Sequence, residues 1–265
     1  MKKETRTTDP SPKDSDASVR RNLTWLRASY RFHTFAYRDP RSAFSAGQGL
    51  PLVSPTAALL GIASTLFNLG RPKDALDLLK VIHTCEVVID PPDGVIFFRA
   101  FHQLRRYVTS QQKKKGQGVS ARVGLTAINQ GTREYGLVQG LMTFFVGVPR
   151  ELVEPVKLAL RNRDHVGTHD SLCSLDGEVT ECSEPEEVVY LPPEVWQRQI
   201  PQVGDICTLM LSRFRQEVRP AVGKHWWMAG GAETELVPYL IKGRFTGTSR
   251  GKVYRKNPTG NLRGA

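Results

Sequence analysis

The chain alternates short apolar runs with turn-forming residues, and the period of each run predicts an element. From Leu23 to Tyr37, aromatic and aliphatic side chains are interleaved with Arg27, Arg31 and His33 until Asp39-Pro40 interrupts them. That alternation predicts a first strand. Ser54-Pro55 supplies a helix N-cap followed by proline at the first helical position, and the run TAALLGIASTLFNL then ends at Gly70. A helix is expected there, and because it is apolar nearly all round it is expected to be buried against a sheet. Arg71-Pro72 opens a second, shorter helix to about Leu79. VIHTCEVVI, from Val81 to Ile89, is rich in β-branched residues and is closed by Asp90-Pro91-Pro92, so it reads as a strand.

The segment from Gly94 to Arg133 mixes apolar residues with arginines in GVIFFRAFHQLRRYV and then turns polar in QQKKKGQGVS. It predicts a long, hairpin-like insertion. Tyr135 to Val148 reads as one strand, and PRELVEPVKLALRN after it as a helix whose first turns are weakened by Pro155. A fourth strand is expected between His165 and Leu175. The resulting order is strand, helix, strand, insertion, strand, helix, strand. That is the split β-α-β-β-α-β arrangement of ferredoxin-like and RNA-recognition folds, an α+β class with an antiparallel sheet and helices on one face. Beyond Pro192-Pro193, ICTLMLSRF and LIKGRF are expected to be strands of a second small sheet. The expected organisation is a polar tail over residues 1–22 that is too poor in apolar side chains to repay ordering, a ferredoxin-like domain over 23–177 with its insertion at 94–133, and a β-rich extension over 178–265.

Charge changes this picture from a fold to a candidate binding protein. Among 265 residues, 37 Lys+Arg stand against 26 Asp+Glu, a formal net charge of +11 that points to a polyanionic partner. The charge is also segregated. Phe97 to Tyr135 holds eight basic residues and one acid, Glu134; Lys242 to Arg263 holds seven basic residues and no acid; Asp164 to Glu194 holds nine acids and no Lys or Arg. The acidic stretch is expected to face a protein neighbour or to shield a surface that does not bind, since it repels phosphates.

Other chemistries find little support. The four cysteines, at 85, 173, 182 and 207, contain no CxxC pair and read as packed thiols. The longest apolar stretch, Gly140 to Val148, is too short for a membrane helix, and the N-terminal residues lack the apolar run of a secretory signal, so a cytoplasmic protein without membrane contact is expected. His165 and His169 stand four apart, with Asp170 and Ser171 adjacent, but Gly167 between them argues against the helix that a metal pair would need, and no HExxH or GxSxG is present. Neither a metal nor a cofactor is expected. GRFTGTSRGK, from Gly243 to Lys252, has the glycines, hydroxyls and cations to approach a phosphate but not the spacing of a nucleotide-binding loop; a plain hairpin turn explains it as well. Trp226-Trp227 suit base stacking, a partner interface or a core.

Taken in order, YRFHTFAYRDPRSAF, PLVSPTAALLGIASTLF, VIHTCEVVI, REYGLVQGLMTFFVGVP and HVGTHDSL resemble the Cas-five family of CRISPR-associated proteins, a branch of the RAMP superfamily. Ser54-Pro55-Thr56 with Leu59-Leu60-Gly61 are similar to the family's helix-start motif, and the likeness covers roughly residues 25 to 175. The resemblance implies a CRISPR RNA-binding subunit of a type I Cascade-like surveillance complex. Such a subunit holds the 5′ handle of the guide RNA, caps the backbone filament beside the large subunit, and meets target DNA through the complex. It also implies that the basic insertion is a thumb lying between the second and third strands.

On this reading Arg31, Arg38, Arg41, Arg99, Arg105, Arg106, Lys113, Lys114, Lys115 and Arg122 are the candidate phosphate contacts. His33 and Tyr37 are candidates for base or ribose, and Arg244, Arg250 and Lys252 come from the glycine-rich segment. Two alternatives stand beside it. One is a metal-independent endoribonuclease that processes repeat RNA, for which Tyr30, His33, Tyr37, His102 and Lys113 to Lys115 are available residue types. The other is a general RNA-binding structural protein of another ribonucleoprotein.

Overall fold

The structure is a computed structural model and describes residues 23–39, 48–107, 126–185, 190–191, 205–215, 234–248 and 251–256; for 102–107, 126–132, 190–191 and 248 it describes the backbone alone. Strand β1, Thr24–Phe32, is its centre. Leu26, Ala28, Tyr30 and Phe32 point inward and are buried, while Arg27 and Arg31 on the alternate positions are exposed. β1 pairs antiparallel with β5, Met142–Val148, from Thr24 opposite Val148 to Tyr30 opposite Met142. β5 pairs in turn with β2, Glu86–Asp90, and β1 pairs on its other side with β6, Cys173–Leu175, giving the order β2-β5-β1-β6. The short strand β7, Thr180–Cys182, lies beside β1 next to β6.

Helix α1, Pro55–Asn68, connects β1 to β2 together with helix α2, Pro72–Val81, and helix α3, Val153–Arg161, connects β5 to β6. The fold class is therefore α+β with the ferredoxin-like β-α-β-β-α-β order. Strands β3, Gly94–Tyr107, and β4, Thr126–Gln139, form a hairpin inserted between the second and third strands of that order, with fourteen paired positions from Gly94 opposite Gln139 to Tyr107 opposite Thr126.

α1 begins and ends as its residues require. The Ser54 hydroxyl accepts from the Ala57 amide at 3.2 Å, and Gly70 takes φ +70 just past the end. Elsewhere the elements divide differently from the expectation. The predicted strand at Val81–Ile89 starts only at Glu86, because Ala75, Leu78, Leu79 and Ile82 continue one buried helical stripe and Ile82–Thr84 adds a 3₁₀ turn. Tyr135 to Val148 is two strands rather than one. The chain turns at Gly140, φ +81, where a side chain would strike the Asp93 carboxylate, and so passes from the hairpin into the ferredoxin-like sheet. The predicted fourth strand contracts to Cys173–Leu175, because Gly167, φ +82, bends the preceding loop into a turn closed by the His165–Leu172 bridge. The first strand stops at Phe32, and Phe35 leaves it to bridge Gly136 of β4.

The carboxyl-terminal strands enclose the other side of α1. β8, Tyr190–Leu191, β9, Ile206–Phe214, and β10, Thr234–Lys242, form a sheet in the order β8-β10-β9. β9 lies on α1, where Ser212 and Thr56 share a hydrogen bond of 3.2 Å. LIKGRF is broken at Gly243, φ +138, so that β10 ends at Lys242 and β11, Arg244–Thr248, begins a return hairpin with β12, Gly251–Arg255. β12 pairs with β3, which yields a third sheet, β11-β12-β3-β4. Leu209, Leu211, Tyr239, Ile241 and Tyr254 belong to the same buried cluster as Leu26, Ile62 and Phe144. The tail over 1–22, the hairpin tip with Lys113, Lys114, Lys115 and Arg122, and Trp226-Trp227 lie outside the described residues. Among the described residues no helix is long and apolar enough to cross a membrane.

A buried cation sits where α1, α3 and the sheet meet. Arg163 is 3% exposed, donates from Nη2 to the Ala58 carbonyl at 2.7 Å, and lies with its guanidinium carbon 5.8 Å from the Phe144 ring centre. It follows directly on α3, whose C-terminal dipole favours a positive charge at that point. Burial pulls its pKa down from the usual arginine value. Gly61 makes room for it, since a Cβ there would overlap Nη2. Replacing Gly61 with Ala, which stabilises an exposed helix position, is therefore expected to destabilise this protein by about 1–3 kcal/mol. A thermal unfolding midpoint equal to or above that of the parent chain would show that Arg163 does not occupy this space.

Candidate nucleic-acid interface

The candidate residues separate into three places, each positioned by a different sheet. On β1 the outward side chain of Arg31 stands opposite Ser174 and reaches Asp176 at 3.4 Å; both partners are largely exposed. His33 Nε2 shares a 3.0 Å hydrogen bond with the Ser174 hydroxyl. These two belong to the face of the ferredoxin-like sheet that carries no helix.

The second place is the segment running from β1 to α1. Tyr37 donates its hydroxyl to Ser54 Oγ at 2.7 Å, so the N-cap of α1 is itself held by a tyrosine, and burial raises the Tyr37 pKa. Its ring lies against Gly167, where any Cβ would approach it to 3.1 Å. Tyr37 therefore acts first as a packing residue. Arg38 is exposed and its main chain bridges Gly49, while Arg41 lies outside the described residues.

The third place is the hairpin sheet. The Arg99 side chain is 67% exposed and 3.9 Å from Glu134, its opposite number on β4. Arg105 and Arg106 occupy the outer half of β3, in register with Ile128 and Ala127. At the base, Lys252 of β12 donates to the Gly49 carbonyl at 2.9 Å and lies 4.8 Å from the ring centres of both Phe97 and Phe245. Glu134 accepts from the Gly49 amide at 2.5 Å. Burial lowers the Lys252 pKa, while Glu134 and Asp39 act in the opposite direction. Lys252 is a strut that joins β12, β3 and residue 49, not a free cation. Arg244, by contrast, is exposed and only 3.5 Å from Asp205, and Arg250 lies outside the described residues.

Several residues that organise this surface carry no signal in composition. Arg133 of β4 donates to Asp170, and the Tyr135 hydroxyl lies 3.5 Å from the same carboxylate, so the loop before β6 ties down the hairpin. Asp176 pairs with Arg31 and Asp164 with His165. The acidic stretch thus supplies partners within the same molecule, Asp176 for Arg31, Asp170 for Arg133 and Asp164 for His165, whereas Glu186, Glu187 and Glu194 lie outside the described residues. On the outer face of the hairpin, Ile96 and Leu137 face each other half-exposed, and Phe98 stacks on Tyr135 at 6.0 Å. The unbroken apolar run of GVIFF was the available signal for a strand with an apolar residue on each face.

The same geometry limits the catalytic readings. Tyr30 is fully buried and gives its hydroxyl to the Leu160 carbonyl at 2.6 Å, so it cannot reach a substrate. Ser171 is buried against the main chain of Ala36, accepting from its amide at 3.0 Å and donating to its carbonyl at 3.2 Å. The rings of His165 and His169 are 4.7 Å apart, and His165 Nδ1 is 2.6 Å from Asp164, yet no group of three or more ligating residues comes together among the described residues. Burial pushes the thiols of Cys85 and Cys207 up to about 12 and that of Cys173 to about 11, which leaves them unreactive near neutrality.

No family model matches the chain, and no curated protein matches it. Among solved structures it is similar to a CRISPR protein from Archaeoglobus fulgidus, with 9% identity and a TM-score of 0.40 over 88% of this chain and 92% of that one. It is also similar to a chain in the cryo-EM structure of the Type III-B Cmr-beta complex bound to cognate target RNA and AMPPnP, with 11% identity and a TM-score of 0.34 over 87% and 86%. Neither shares enough sequence to carry a residue's role across.

The strut role of Lys252 has a direct consequence. Lys252→Met keeps the apolar stem but removes the hydrogen bond and both cation–π contacts, and is expected to cost about 1–3 kcal/mol of stability. Denaturant unfolding reads this; an unchanged midpoint together with weakened RNA binding would instead make Lys252 a phosphate contact.

Proposed function

We propose that this chain is a non-catalytic RNA-binding subunit of a Cascade-like complex that holds the 5′ handle of a CRISPR RNA and caps the backbone filament beside the large subunit. The observation that carries the reading is the hairpin. A ferredoxin-like sheet is interrupted, between its second and third strands, by two fourteen-residue strands within a segment holding eight basic residues against a single acid. At about 3.4 Å per residue such strands extend roughly 45 Å, far more than a core of this size needs. Phe101, 67% exposed along β3, marks where they leave the buried cluster.

An arm of this kind meets a single strand through phosphates on its cationic positions and through its exposed rings. The base is fixed by Glu134, Lys252 and Asp170, so the arm is aimed from a rigid support. The sequence resemblance supports the more specific part, the 5′ handle and the Cascade setting. Catalysis is not needed: Tyr30 is committed to the core, and Tyr37 to the cap of α1.

Affinity purification of the tagged chain from its native host is expected to recover short RNAs with one uniform, repeat-derived 5′ end together with a backbone subunit. Heterogeneous RNA or none would overturn the reading. Binding of the guide should fall with salt at a log-log slope of about −0.7 per phosphate contact, and incubation with repeat RNA in EDTA should leave it intact. Cleavage at one position would instead establish the endoribonuclease reading.

A further inference from the structure

The face of the ferredoxin-like sheet opposite the helices has a composition that the hairpin reading does not use. Its outward positions on β1 are Trp25, buried against Gly147, and then Arg27, Ser29 and Arg31, followed by His33 beyond the strand end. Directly across from Arg27 on β5 is Phe145, half-buried; across from Ser29 is Thr143, with the two hydroxyls 2.8 Å apart; across from Arg31 on β6 is Ser174. Residues directly opposite in an antiparallel pair share a face. No outward position on β1, β5 or β6 is a carboxylate; on β2, Glu86 and Asp90 share the face opposite Gly147 and Thr143, with Asp90 engaged by Lys256, and Asp176, after β6, is engaged with Arg31 across an exposed 3.4 Å contact.

We infer that this open face is a second contact for single-stranded nucleic acid, separate from the hairpin, in which Arg27 and Arg31 take phosphates and Phe145 stacks a base. The inference rests on the reading of the chain as an RNA-binding subunit and adds a site to it. Arg27 and Arg31 are four residues apart on one strand, about 13 Å at 3.3 Å per residue, a span that an extended strand covers in two phosphodiester steps. The Ser29 hydroxyl lies between them, bonded to that of the buried Thr143. A half-buried ring beside an arginine favours a stacked base next to a neutralised phosphate. The exposed Arg31–Asp176 pair is weak enough for a phosphate to displace the carboxylate.

The test uses the full-length chain and a fluorescein-labelled single-stranded oligouridylate RNA, read by anisotropy across a salt series. Three variants are compared: R27A/R31A on the open face, F145L, which keeps apolar volume but removes the ring, and R105A/R106A on the hairpin. Circular dichroism melting checks that each folds like the parent. The inference expects R27A/R31A to weaken binding about tenfold or more and to reduce the salt slope by about 1.4. F145L is expected to weaken binding about fivefold or more with the slope unchanged. Loss in R105A/R106A alone, with both open-face variants binding like the parent, overturns this inference and leaves the hairpin reading standing. Loss in the open-face variants alone supports the inference and removes the hairpin's role. Absence of binding by the parent chain overturns both. Open-face variants that keep RNA but lose a co-purifying protein would make the face a protein interface and overturn the inference.

Discussion

A helix with almost no polar side needs cover on more than one flank, and in this molecule that requirement falls on α1, which is exposed only at Ser64 and at Phe67 and Asn68 in its last turn. Pro55, Ala58, Leu59, Ile62, Ala63 and Leu66 are buried, and the helix meets α3 and β2 on one flank and β9 on another. The ferredoxin-like sheet supplies only the first cover. The second comes from strands more than a hundred residues later in the chain, so the carboxyl-terminal sheet shares the core with the amino-terminal half. Through Gly243 the same chain continues into β12, which pairs with β3 at the root of the hairpin. Burial of one helix thus also fixes the support of the basic arm.

The tightness of that burial explains two residues that would otherwise look arbitrary. An arginine in the core costs several kcal/mol unless its charge is met. Arg163 offsets part of it with the carbonyl of Ala58, the C-terminal dipole of α3 and the face of Phe144, while its Nε and Nη1 find no hydrogen-bond partner among the described residues. This arrangement needs α1 to come close, which only a glycine at position 61 permits. Position 61 thus does for packing what Gly70 does for termination, one through the absence of Cβ and the other through a positive φ.

What could be read from the sequence follows from which features are local. Ser54, Pro55 and Gly70 act within one turn of their own position, and the helix they predict runs where they place it. The element order was legible because each run has its own period. Boundaries where one apolar run serves two elements were not: Ile82 completes a helical stripe while Val87 and Ile89 begin a strand, yet VIHTCEVVI reads as one β-rich segment. Tyr135 to Val148 keeps a strand pattern throughout, and nothing in period two says that its halves belong to different sheets. For the site, composition located the basic arm but could not separate free cations from committed ones. Lys252 counts as +1 in any sum, although it is clasped by two rings and a carbonyl. Arg163, flanked by Asn162 and Asp164, reads as a surface residue because the Ala58 carbonyl and the space over Gly61 that receive it lie about a hundred positions upstream.

The acidic stretch brings charge and fold together. Read along the chain, nine acids without a lysine or arginine suggest a separate surface. In space, Asp170 holds Arg133, Asp176 faces Arg31 and Asp164 accepts a contact from His165, so two of those acids sit beside arginines they neutralise. Exposed pairs of this kind contribute at most about 1 kcal/mol each to stability, too little to be the reason for the fold. Their effect is local: they hold the Arg31 and Arg133 guanidiniums in place. A phosphate that arrives with its neighbours along a strand gains from several cations at once, whereas each aspartate holds only one. On the proposed function, the exchange therefore favours a polyanion over a single anion, and an internal acidic segment would make a basic surface more selective for strands without removing its charge.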